Sequence, residues 1–156
     1  MCMLTFVEEL ISNRILITGI TGWAVAQVLK TIIHAMINKK LDLRRLTGDG
    51  GMPSSHSATV TSAAVMTGLT TGFDSVYFAI AAILSIIVMH DAMGVRLETG
   101  KQAQVINEMF ELLDRLSEES LSMDVKLKEF VGHTPTQVLA GSVLGIIVAV
   151  CSYNYF

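Results

Sequence analysis

Two histidines stand at matching breaks in this chain. One lies in Gly50-Gly51-Met52-Pro53-Ser54-Ser55-His56-Ser57-Ala58, the other in Gly132-His133-Thr134-Pro135-Thr136-Gln137. Each break combines glycine, proline and hydroxyl residues just ahead of an apolar stretch, the composition of a helix start. Glycines let backbone N–H groups come close to an anion. Ser54 or Ser55 can cap the helix that follows, and the free N–H groups and helix dipole then favour phosphate. His56 falls in the first turn, within reach of whatever binds there. In the second break Thr134 fits the N-cap, Pro135 the first helical position, and Gln137 sits three residues past the cap, which makes a capping box. Two imidazoles beside two such helix ends could divide a phosphoryl transfer between them, one attacking phosphorus and the other protonating the leaving oxygen. The plainer alternative is two well-capped helices with incidental histidines.

Other residues could join this chemistry. Asp91 sits at the end of an apolar run, a costly place for a lone carboxylate. Arg96 lies just beyond it and could pair with Asp91, or clamp a phosphate in a bidentate fashion. Gln102 follows on the next polar stretch. Lys30 lies inside an apolar run and shares a helix face with His34. It either serves a site or reaches back to the membrane surface. Arg44 and Arg45 add charge to the following loop. The four histidines show no metal-ligand spacing with acidic company, and Cys2 and Cys151 read as free thiols. No cofactor-binding fingerprint is present.

These residues need a membrane scaffold to position them. Hydrophobic residues make up 51% of the 156 and charged residues only 16%, against about 25% in a soluble domain. The net charge of -3 gives no reason to expect a nucleic acid partner. Glu8 and Glu9 occupy the place of a basic leader region, so the first apolar stretch reads as a retained span. Stretches near 15–37, 54–72, 75–93 and 136–153 approach the ~20 apolar residues a bilayer-crossing helix needs. The second and fourth are weak as lone spans and suit packing inside a bundle. Gly19 with Gly22, and Gly141 with Gly145, offer close-approach faces. The stretch of about 95–130 is polar, with Val105, Met109, Leu112, Leu113 and Leu116 near helical spacing. It reads as amphipathic helix at the membrane surface. The expected architecture is therefore an all-α integral membrane bundle, one domain over residues 1–156, with about four spans plus amphipathic surface helices.

Four spans put the loops near 38–52 and 94–135 on one side. Those loops hold nine of the eleven Lys and Arg residues, so this side is expected to be cytoplasmic. Both histidine motifs fall on it. Phe73, Tyr77, Phe78, Tyr153, Tyr155 and Phe156 fall at the other end as an aromatic belt.

With these residues in view, the chain resembles the type 2 phosphatidic acid phosphatase superfamily, which includes vanadium haloperoxidases, and within it the small divergent membrane branch. The resemblance is carried by Ala26-Gln27-Val28-Leu29-Lys30, the segments 50–58 and 132–141, Asp91-Ala92-Met93-Gly94-Val95-Arg96, and Gly100-Lys101-Gln102-Ala103. It implies a multi-pass protein of the cell membrane acting on a lipid phosphate or polyprenyl phosphate, without metal or other cofactor; the charge bias puts the expected site at the cytoplasmic face. It implies that His133 is the nucleophile and forms a phosphohistidine, and that His56 is the acid. Ser54, Ser55, Lys30 and Arg96 or Arg45 would hold phosphate oxygens, with Asp91, Gln137 and Gln102 in support. Membrane lipids and a phosphorylated lipid substrate are the implied partners, and an oligomer is left open. The sequence departs from the parent pattern in reading Pro53-Ser54-Ser55-His56 for Pro-Ser-Gly-His. It also lacks the expected Lys-to-Arg-Pro spacing and an arginine shortly before His133. Gln137 stands where the superfamily has a carboxylate. That last departure defines the alternative, a catalytically impaired relative that binds anionic lipid head groups.

Overall fold

A computed structural model describes residues 2–39, 51–116, 127 and 132–155. Among them the regular structure is six helices: α1 (Cys2–Ser12), α2 (Arg14–Asn38), α3 (Ser55–Thr71), α4 (Val76–Met93), α5 (Val95–Leu116) and α6 (Pro135–Tyr155). The expected all-α bundle is what forms. Arg44 and Arg45 lie outside the described residues.

Helices α2, α3, α4 and α6 begin where a short polar side chain satisfies a free N–H group. Asn13 Oδ1 accepts from Leu16 N–H at 3.1 Å. Ser54 Oγ accepts from Ser57 N–H at 3.3 Å, and Ser75 Oγ from Phe78 N–H at 3.2 Å. At α6 the capping box closes in both directions. Gln137 N–H donates to Thr134 Oγ1 at 3.4 Å, and Thr134 N–H donates to Gln137 Oε1 at 3.1 Å.

Helix α3 is the centre of the bundle, packed by α2, α4 and α6. Its sequence, SHSATVTSAAVMTGLTT, carries eight hydroxyl residues, which explains its weak hydropathy. Most of those hydroxyls fold back on the helix itself, among them Thr59 onto Ser55 O, Thr67 onto Ala63 O, and Thr71 onto Thr67 O. Such bonds neutralise polar groups locally and leave a slim helix that neighbours can approach. The glycines named above supply that approach. Gly22 of α2 seats against Ser62 and the Ala58 carbonyl. Gly145 of α6 seats against the same carbonyl, where an added Cβ would stand 2.7 Å away. Helix α4 donates a third tie, Ser85 Oγ to Val60 O at 2.9 Å.

Among the described residues three helical stretches are long and apolar enough to cross a membrane: Arg14–Asn38, Val76–Leu116 and Pro135–Tyr155. The remaining expected span, α3, has 17 residues and falls short on its own. It takes its place through partners rather than through lipid. Helix α4 is its converse, with Ile80, Ile83, Leu84, Ile86 and Ile87 all exposed on the isolated bundle. Apolar residues all round a helix mark a lipid-facing span.

The N-terminal ends of α3 and α6 lie together, with the C-terminal end of α4 beside them. At the opposite end Phe73 and Phe78 meet edge to face, 5.0 Å between centroids. Helix α5 leaves α4 at Gly94 and keeps Val105, Met109, Leu112, Leu113 and Leu116 exposed. Its buried residues are Gly100, Ala103 and Asn107.

Candidate functional site

The site is assembled from two helix starts that share a backbone bond. Ser54 N–H, at the cap of α3, donates to the Gln137 carbonyl of α6 at 3.0 Å. Gly141, one turn further along α6, lies directly against the Ser54 carbonyl, where a side chain would collide. A third element fixes the second histidine. His133 N–H donates to the Ala92 carbonyl at the end of α4, at 3.0 Å. Gly132 just before it rests on the backbone of Leu97, leaving no room for a Cβ.

This scaffold brings the two imidazoles into direct contact. His56 Nδ1 and His133 Nε2 stand 3.3 Å apart. Their ring centroids are 5.5 Å apart with an interplanar angle of 57°, so nitrogen meets nitrogen and the rings are not stacked. His133 is 1% exposed, and His56 is half-buried.

Gln137 decides the proton positions. Its side-chain acceptor receives Thr134 N–H, and a backbone N–H can only donate, so the facing atom is Oε1. The same oxygen stands 3.3 Å from His133 Nδ1. Nδ1 therefore carries a proton, and in the neutral imidazole Nε2 keeps its lone pair. His56 Nδ1 then donates toward that Nε2. In that tautomer the arrangement presents one nitrogen lone pair and one adjacent N–H donor, beside two positive helix ends.

Lys30 is 3% exposed, and its stem runs past Gly51 at the start of the first motif. A Cβ on Gly51 would lie 3.2 Å from Lys30 Cγ, and Gly51 has φ of 87°, so glycine is needed there on both counts. Ser54 is fully buried and its hydroxyl is occupied in capping, accepting from Ser57 N–H and Ser57 Oγ. Ser55 is also buried. Asp91 and Arg96 form an ion pair, Nε to Oδ2 at 2.8 Å, with side chains 42% and 44% exposed respectively. Gln102 is exposed on α5, and Arg45 lies outside the described residues. The structure thus joins His56, His133, Gln137 and the Ser54 backbone, and sets Lys30 against the first motif's glycine. It pairs Asp91 with Arg96 at the start of α5. Among the described residues no group of three or more His, Cys, Asp or Glu forms a metal-type cluster.

Two contributors were not legible in the sequence: the Ala92 carbonyl that holds His133, and Asn107. The Asn107 side chain holds Leu127 by both backbone groups, donating from Nδ2 to the carbonyl and accepting the N–H at Oδ1, each at 3.0 Å. A lone Asn on the buried side of an amphipathic helix was its only signal.

Residues 11–148 match the sequence profile described as the Divergent PAP2 family. The chain belongs to the divergent PAP2 family. A relative is the uncharacterized membrane protein YuiD of Bacillus subtilis (strain 168), 38% identical over 156 residues that cover 95% of this chain and 99% of YuiD. No solved structure matches the chain significantly. A divergent PAP2 membrane protein is what the bundle and the sequence together describe.

Proposed function

We propose that this divergent PAP2 protein is a membrane-embedded phosphatase for lipid phosphates or polyprenyl phosphates, with His133 as nucleophile and His56 as general acid. The observation that carries this reading is the single contact of His56 Nδ1 with His133 Nε2, set between two helix N-termini. In the proposed cycle a phosphate monoester enters between the rings and displaces their mutual bond. His133 Nε2 attacks phosphorus while the bond to the lipid oxygen breaks, and His56 hands its proton to that oxygen. The lipid alcohol leaves and phosphohistidine remains. Water then attacks phosphorus and gives a proton to His56, the N–P bond breaks, and inorganic phosphate departs. Lys30 and the N–H groups of α3 and α6 offset the charge on the transferring group.

The basic loops flanking the site support a cytoplasmic face of the cell membrane. The exposed apolar row of α5 suits the plane of the bilayer surface.

The test is phosphate release by purified wild type and His133→Ala in mixed micelles across a panel of lipid phosphates. The variant is expected to lose release while keeping the wild-type unfolding temperature, and vanadate should inhibit the wild type. Phosphate release that survives His133→Ala would refute the nucleophile assignment. Gln137 favours a second reading. Its oxygen sits where a carboxylate would stabilise the imidazolium, and it is neutral. On that reading the protein binds anionic lipid head groups, saturably and without turnover.

A further inference from the structure

Helix α5 is charged and largely exposed, yet it buries one polar side chain, Asn107, at 6% exposure. Asparagine is a poor helix former because its amide competes with the backbone. Here the amide is used otherwise. Its donor and acceptor sit side by side and pair with both backbone groups of Leu127, as a neighbouring strand would. Gly100 and Ala103, the other buried residues of α5, flank it on the same face at spacings of seven and four, and both are small. The chain can therefore lie close against this face.

The same helix holds the chain a second time. Gly132 rests on the Leu97 backbone, and the next residue, His133, bonds to Ala92. Leu97 and Asn107 are ten residues apart on α5, about 15 Å of helix axis. The five-residue tether from Leu127 to Gly132 reaches at most ~18 Å. Leu127 and Gly132 are therefore both fixed on α5 within that reach.

We propose that Asn107 is a positioning residue for His133. It acts at a distance by holding Leu127 against α5, and it touches neither substrate nor the reacting atoms. The inference rests on His133 being the working histidine. Its structural part, the hold on His133, can be read without any turnover.

The test compares wild type with Asn107→Leu, which loses both bonds, and Asn107→Asp, which keeps the acceptor for Leu127 N–H. In lipid vesicles, each protein is treated with diethyl pyrocarbonate and modification of each histidine is followed by mass spectrometry. His133 is expected to react several-fold faster in Asn107→Leu and to an intermediate degree in Asn107→Asp, with His34 and His90 unchanged as internal references. Where phosphate release is measurable, kcat should fall by about 10- to 100-fold with KM unchanged, as for a misplaced catalytic group. Unchanged His133 reactivity overturns the proposal. So does an equal rise at His34, which would mean general loosening. A wild type with no phosphatase activity refutes the proposed reaction, while the modification rates still decide the role of Asn107.

Discussion

Gln137 serves two structures with one oxygen: it closes the capping box of α6 and it orients His133. The first role belongs equally to glutamate, which fills the same capping position and is favoured near a helix N-terminus. The second role differs in charge. If the reaction is phosphoryl transfer, Gln137→Glu is expected to raise kcat, since removing a comparable carboxylate from a serine protease triad lowers it by about 10⁴. Single-turnover phosphate release from the variant and wild type is the measurement. A pure head-group binder has no rate to gain, and added negative charge beside the pocket should weaken its vanadate binding. The capping box was readable from the sequence because it is complete within three residues. That His133 Nδ1 meets the same oxygen was not, because it depends on the Ala92 carbonyl holding the His133 backbone.

At the scale of the helix, packing rather than hydropathy decides what crosses the bilayer. Averaging over α3 hides the fact that most of its hydroxyls are paired within the helix, so its sequence looks weaker than its role. The glycine pairs were the better sign, since small residues three or four apart put one slim helix face toward a close neighbour whatever the local polarity. They are not equivalent, however. At Gly19 an added Cβ would meet Ala63 Cβ at 3.4 Å and Thr59 O at 3.8 Å, which is ordinary contact. At Gly145 it would meet the backbone of Ala58 at 2.7 Å and of Ser62 at 3.0 Å. Gly19→Ala should therefore be neutral or stabilising by up to ~1 kcal/mol from helix propensity. Gly145→Ala should cost ~1–3 kcal/mol as overpacking exceeds that gain. Thermal unfolding of the two variants in one detergent checks the difference in sign. The Asn107 clamp shows the opposite limit: its partner lies 20 residues away and is a backbone group, so no side-chain pattern marks it.

For the whole molecule, counting spans gave the expectation that the histidines come together. An even number of crossings between the two motifs returns the chain to the same side, and the direct His56–His133 contact fits that parity. Which side it is rests on the distribution of Lys and Arg. With Cys2 and Cys151 replaced by Ser, Lys101→Cys is expected to react with a membrane-impermeant maleimide only after permeabilisation, and Asn154→Cys in intact cells. The reverse pattern would place the site outside.

The bond from Ser54 N–H to the Gln137 carbonyl has a consequence in time as well as in space. It joins the two helix starts by main chain, and the Ala92 carbonyl holds the backbone of His133 in the same way. The backbones carrying the two rings cannot part without breaking those bonds. Room for a phosphate must come from the imidazoles turning about their own side-chain torsions. Opening is then a rotamer event, orders of magnitude faster than the microsecond-to-millisecond helix shifts that gate many enclosed sites. Ligand capture by this pocket should be set by how quickly a head group arrives along the bilayer surface, with no slow isomerisation of the protein ahead of it.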